Sequence, residues 1–204
     1  MKKTAFFIMC VITAFQSVAQ NNSHELKMIS DSDNPQLQDI LMFEGIDYYK
    51  IKFSGKDLKG KTYKITVKEI KDGITVSDSV FYDSSSTDII EQFRKINDTV
   101  FEMRVLGRHT TDNKLKMSFF FPQYMFKKEF DALPTDEYSL RNLAQESGLP
   151  IEYGKKFYLL AYILPYETPY GKSWCDIGHD GKDVEQWGKK FGIKHYILFE
   201  MEFK

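Results

Sequence analysis

The densest set of chemically capable side chains is Trp174–Asp183, WCDIGHDGKD. It holds Cys175, His179 and three aspartates, Asp176, Asp180 and Asp183, with Trp187 just beyond. Cys175 suits nucleophilic catalysis if His179 or His195 takes its proton and an aspartate orients the ring. The glycine context of thiol proteases is missing around it, so the plainer reading is a packed thiol beside a tryptophan. Asp176, Asp180 and Asp183, with Gly181 between, offer oxygens for a divalent ion. A calcium loop counted from Asp176 would need an acid where Gly178 stands and a glutamate where Trp187 stands. Zinc through Cys175, His179 and an aspartate lacks paired-ligand spacing. The preferred reading is a solvated loop whose aspartates cap the next helix, with no metal and no cofactor.

A second set is aromatic. Tyr162, Tyr166, Tyr170 and Trp174 recur every four residues across a proline-interrupted segment. Exposed on one rim, Tyr166, Tyr170 and Trp174, with Asp176, His179 and Asp180, would offer a binding surface to a glycan or a protein. His109 at a hairpin tip and His24 near the start read as solvated. His195 falls on the inward parity of the last strand and reads as a core histidine. Walker, G-x-S-x-G and G-x-G-x-x-G patterns are all missing.

The elements that must position these residues are mostly strands. Residues 46–53 put Tyr49, Ile51 and Phe53 on one face against Lys50 and Lys52. Residues 61–70 alternate about Tyr63, Ile65 and Val67. Asp72-Gly73 then supplies the positive φ angles of a type I′ turn before a returning strand, 74–82. Ile89, Ile90, Phe93 and Ile96, behind an Asp88/Glu91 capping box, predict a helix over 88–96. A second hairpin pairs 99–107 with 114–121 around Thr110–Asn113. Residues 123–133 suit a helix or an edge strand. Pro134-Thr135-Asp136 opens a helix with Leu140, Leu143 and Ala144 on its stripe, closed at Gly148. Residues 156–164 are apolar on both faces, as in a covered central strand. Val184, Trp187 and Phe191 suggest a short helix, and 193–203 is the final strand. The sum is one α+β domain over 43–204: a mainly antiparallel sheet of about seven strands, with two to four short helices packed on one face.

Composition sets the outer limits. The net charge of −1 becomes −3 if Lys2 and Lys3 are removed, and the charge is evenly mixed, which speaks against nucleic acid as a partner. The start reads as a signal peptide: Lys2-Lys3, an apolar run through Ala5–Ala14, and small residues at Ser17 and Ala19, giving 1–19 as leader. Met9 rather than a small residue precedes Cys10, so lipid anchoring there is not expected. The mature chain then carries no transmembrane helix, and one cysteine, Cys175, too few for an internal disulfide. Residues 20–42 are polar and read as a poorly ordered lead-in with one docked segment at Leu37–Phe43. The 17 Phe and 12 Tyr of the chain suit a domain stabilised by its core. Export to the periplasm or beyond follows, with an interaction domain in the cell envelope as the preferred function and a cysteine-dependent hydrolase or transferase as the alternative.

The leader ending SVAQNN and the segment GKTYKITVKEIKDGITV resemble small exported proteins of unknown function from gut Bacteroidetes. That resemblance implies O-glycosylation at Asp-Ser/Thr followed by an apolar residue, which points to Ser79 in Asp78-Ser79-Val80 and Thr99 in Asp98-Thr99-Val100. Intact-mass measurement of protein from its native host should then show added sugar mass. A mass equal to that of the bare mature chain would dispose of the modification.

Overall fold

The computed structural model describes residues 27–30, 34–174 and 181–204. Among them two five-stranded sheets face each other, and every strand pairing is antiparallel. The first sheet runs β1 (Lys27–Ser30), β2 (Ile46–Ser54), β5 (Val100–His109), β6 (Lys114–Phe120) and β7 (Met125–Asp131) in spatial order. The second runs β4 (Ile74–Asp83), β3 (Tyr63–Lys71), β12 (His195–Phe203), β9 (Phe157–Ile163) and β8 (Ser139–Arg141). A separate small hairpin joins β10 (Tyr166–Thr168) to β11 (Gly171–Ser173). The α-helices among the described residues are α1 (Pro35–Phe43), α2 (Leu143–Ser147) and α3 (Trp187–Phe191), with 3₁₀ turns at Glu91–Phe93 and Val184–Gln186.

The α+β class and the antiparallel pairing agree with the sequence reading, but the strand count does not. Among the described residues, twelve strands in three sheets replace the expected sheet of about seven. The helix expected over 88–96 is also missing, and only one 3₁₀ turn forms there. There the Ile96 N–H donates to the Lys61 carbonyl and its own carbonyl accepts from Gly60, so tertiary pairing takes the backbone groups a helix would use. The helix expected from Pro134 is likewise divided. Leu140 pairs with Tyr162 in β8, and one helical turn follows, capped by the Asn142 side chain and ended by left-handed Gly148. Residues 123–133 resolve into edge strand β7. Nor do the helices share one face: α1 lies on the first sheet beside β2, and α3 covers the second.

The core lies between the sheets. Inward rows from β2, β5 and β6 meet those from β3, β12 and β9 as interlocking rings: Phe53 on Phe203 at 5.1 Å, Phe119 on Phe199 at 5.0 Å, Tyr63 on Phe101 at 4.6 Å. Strand β5 starts against β3 through Phe101 and ends against β8 and β9, where Gly107 lies beside Leu140 and Tyr162. One strand therefore crosses the opposing sheet from side to side, a steep rather than aligned packing.

Strand β12 is covered on both faces. Its outer face lies under residues 184–191, where Val184 and Trp187 are buried and the Tyr196 hydroxyl donates to the Val184 carbonyl at 2.9 Å. On the same face Glu200 accepts from Thr66 (3.0 Å), Lys156 (3.2 Å) and Lys68 (3.3 Å), which closes a buried charge within the sheet. The β3–β4 turn has Asp72 at φ 49° and Gly73 at φ 74°, as a type I′ turn requires. Gly73 is in backbone contact with Gly188 of α3: a Cβ on Gly188 would lie 2.5 Å from the Gly73 Cα and 2.6 Å from its nitrogen. Neither a tight turn nor a buried helix yields easily. Gly188→Ala is expected to cost about 3 kcal/mol of unfolding free energy by urea titration, with a cost below about 1 kcal/mol showing that the two elements can separate.

Candidate functional site

At one end of the sandwich the inward rows stop being apolar. Asp47 continues the inward row of Tyr49, Ile51 and Phe53 in β2, and His109 continues that of Phe101, Met103, Val105 and Gly107 in β5. Asp47 and Gly107 are register partners. Tyr162 of β9 and Tyr138, just before β8, complete the end from the opposite sheet. Helix α1 supplies a wall through Gln38, Leu41 and Met42, and the space between them, open to solvent on one side, is ≈380 Å³.

Local sequence explains how this wall is held. The Asn34 side chain accepts from the Leu37 N–H at 3.0 Å, Pro35 occupies the first turn, and Gly45 at φ 64° turns the chain into β2. Gly107 matters for the opposite reason, because it leaves room. A Cβ there would stand 3.2 Å from both the Met117 sulfur and the Tyr162 ring.

Burial pushes the Asp47 carboxyl up to about 6. The Leu140 N–H at 3.2 Å, the Tyr162 hydroxyl and the more distant Arg141 charge pull the other way without prevailing. Burial likewise raises Tyr49 and Tyr138 to about 12 and drives Tyr162 upward, so these phenols stay neutral. The Tyr49 hydroxyl donates to the Leu140 carbonyl at 3.0 Å, and the His109 ring stacks on Tyr138 at 5.6 Å. His109 Nε2 is enclosed with no hydrogen-bond partner among the described residues, a polar demand left open in the cavity wall.

Behind Tyr138 the polar groups are satisfied. Its hydroxyl accepts from the Leu133 N–H (3.1 Å) and lies 2.5 Å from His195 Nδ1, which accepts its proton because the carboxylate facing the other ring nitrogen can only accept. The ring hydrogen therefore sits on Nε2, directed at Glu69 Oε1 (3.3 Å), which Lys71 also approaches at 2.6 Å. Desolvation lowers the His195 pKa, in keeping with a neutral ring.

The residues singled out from sequence fall in several places. Cys175, Asp176, His179 and Asp180 lie outside the described residues, as do Cys10 and His24. Asp183 is exposed in a left-handed conformation, and its carbonyl, not its side chain, accepts from Gln186 N–H. Among the described residues no three His, Cys, Asp or Glu side chains converge as metal ligands. His195 is 1% exposed, with both ring nitrogens engaged. The aromatic series is divided. Tyr162 is inside the sandwich, Tyr166 is buried against Phe191 at 5.2 Å, and Tyr170 is wholly exposed on the β10–β11 turn. Trp174 is half-buried, its Nε1 enclosed without a partner among the described residues. A spacing of four aligns side chains on a helix, but here the chain passes through β9 and a reversing hairpin. Tyr166 and Tyr170 line an open groove with Lys172 and Lys190. Ser79 is half-buried and its hydroxyl meets Lys128 Nζ at 3.4 Å, whereas Thr99 is exposed in a loop.

Asp47, Tyr138 and the role of His109 were not singled out from sequence. The signal available was strand parity: two residues before Tyr49 and two after Gly107, the inward row carries an ionisable side chain. No family model, curated protein or solved structure matches the chain.

A carboxyl whose folded pKa is raised stabilises the fold below its ordinary range and loses that contribution as pH rises through about 6. Asp47→Asn removes the loss. It should be more stable than the parent by up to about 3 kcal/mol near pH 7, with the gap closing toward pH 4, by urea unfolding at both pH values. A gap that does not change with pH would show that Asp47 titrates normally.

Proposed function

We propose that this chain is a non-enzymatic binding domain that works in the cell envelope after export, and that its ligand enters the cavity at Asp47. One observation carries the reading. Inward positions of several strands turn polar together around ≈380 Å³ of space, at a cost in stability that packing alone would not demand. Desolvated Asp47 and unpartnered His109 Nε2 are groups a ligand can satisfy. The leader-like start, with Lys2-Lys3 and the small residues Ser17 and Ala19, supports export. Among the described residues no helix is long and apolar enough to cross a membrane. The exposed Tyr170 hairpin supplies a second surface suited to a protein or glycan partner.

The cysteine-dependent reading would have to rest on His179, since both nitrogens of His195 already hold partners inside the sandwich.

Gln38 is exposed on α1 at the cavity wall, so Gln38→Trp fills the space without touching the core. A small-molecule fragment library followed by NMR should yield binders that shift the His109, Tyr138 and Tyr162 resonances of the parent and fail to bind the filled variant. Binders that treat the two proteins alike, or no binders, would overturn the assignment of the cavity.

A further inference from the structure

We propose that the cavity binds the ammonium group of a small organic cation, held by the Asp47 and Asp136 carboxylates and walled by the rings of Tyr48, Tyr49, Tyr138 and Tyr162. This rests on the binding-domain reading and adds the chemistry of the ligand.

The argument begins with charge. Among the described residues, two carboxylates and no lysine or arginine line the space. The tyrosines cannot add a compensating positive charge, and their hydroxyls stay neutral. Among the described residues, the cation that acts on Asp47 is Arg141, which is paired with Glu146 at 3.0 Å. An anion entering here meets like charge in a desolvated site, whereas a cation meets an opposite charge already partly stripped of water. Lysine and arginine do occur next door: Lys50 and Arg104 line a separate ≈410 Å³ space on the first sheet, so their absence from this one is local.

Shape agrees with charge. Ring faces attract an ammonium group through their quadrupole, and more strongly where water is excluded. A neutral sugar would also stack on tyrosines, but it would leave the Asp47 charge unpaired in a buried setting. A cation is the ligand class that turns the least favourable feature of this end of the fold into a favourable one.

A thermodynamic signature follows. The groups around Asp47 are Tyr49 on its own strand, Tyr162 on β9, Arg141 on β8 with Glu146 of α2 behind it, and Tyr138, Asp136 and His109 across the cavity. An ammonium ligand needs Asp47 ionised, so binding expels a proton wherever the free carboxyl is partly protonated. With Asp47 at about 6, affinity should fall about tenfold from pH 7.5 to pH 5.

The test uses n-butylammonium, n-butanol and butyrate, alike in size and differing in charge, titrated into the mature chain and followed by NMR at His109 and Tyr138. Butylammonium should bind at least tenfold more tightly than butanol, butyrate should not bind, and the tenfold pH dependence should appear. Asp47→Asn should lose both the preference and the pH dependence. Equal binding of butanol or butyrate, or an unchanged Asp47→Asn, overturns the proposal. If neutral fragments occupy the cavity and Gln38→Trp excludes them while butylammonium does not bind, the cation inference falls and the binding-domain reading stands. If nothing binds, both fall.

Discussion

Everything in this fold depends on the meeting of two sets of inward-facing rings. Phe53, Phe101 and Phe119 from one sheet pack on Phe203, Tyr63 and Phe199 from the other, across sheets that cross steeply. Aromatic side chains bury large areas and interlock at fixed angles, so they determine how far apart the sheets stand. The side chains that fill the gap change along each strand. Where the rings give out, at the start of β2 and the end of β5, the sheets stay apart and the gap becomes a cavity.

The two polar assemblies near that end differ in kind. Tyr138, His195 and Glu69 form a chain in which each hydrogen has an acceptor, beginning at the Leu133 amide. Such a network fixes positions and asks for nothing further. Asp47 and His109 are different. The carboxyl is desolvated beyond what its hydrogen bonds return, and the imidazole has a nitrogen without a partner among the described residues. Tyr138 belongs to both assemblies, stacking on His109 while donating to His195. The satisfied network thus holds rigid a ring that walls the unsatisfied cavity.

Much of the strand architecture was legible beforehand. The Asp72-Gly73 turn, the alternation in β2 and β3 and the double-sided burial of β9 follow from local rules and appear in place. Helices fared worse at Ile96 and Leu140. Each residue fitted a helical stripe, but each backbone found a strand or loop partner far along the chain instead. Short apolar runs support either periodicity, and long-range pairing settles the matter. The site was harder still. Reactive residue types are concentrated at 174–183, yet a cavity depends on which residues face the same space, and Asp47, His109, Asp136, Tyr138 and Tyr162 are spread along more than half the chain.

By itself the sequence determined the antiparallel α+β class, the hairpin turns and the inward residues of most strands, because these follow from a two-residue period and from backbone preferences at glycine and aspartate. Strand β4 is the exception, since its pairing with β3 shifts register twice and the apolar row Ile74, Val76 and Val80 is exposed. Only the tertiary structure decided that the strands divide between two facing sheets, that Gly73 and Gly188 touch, and that Asp47 looks across at Tyr162. Those outcomes depend on strand pairing and sheet crossing between distant segments, and neither periodicity nor local propensity carries that information.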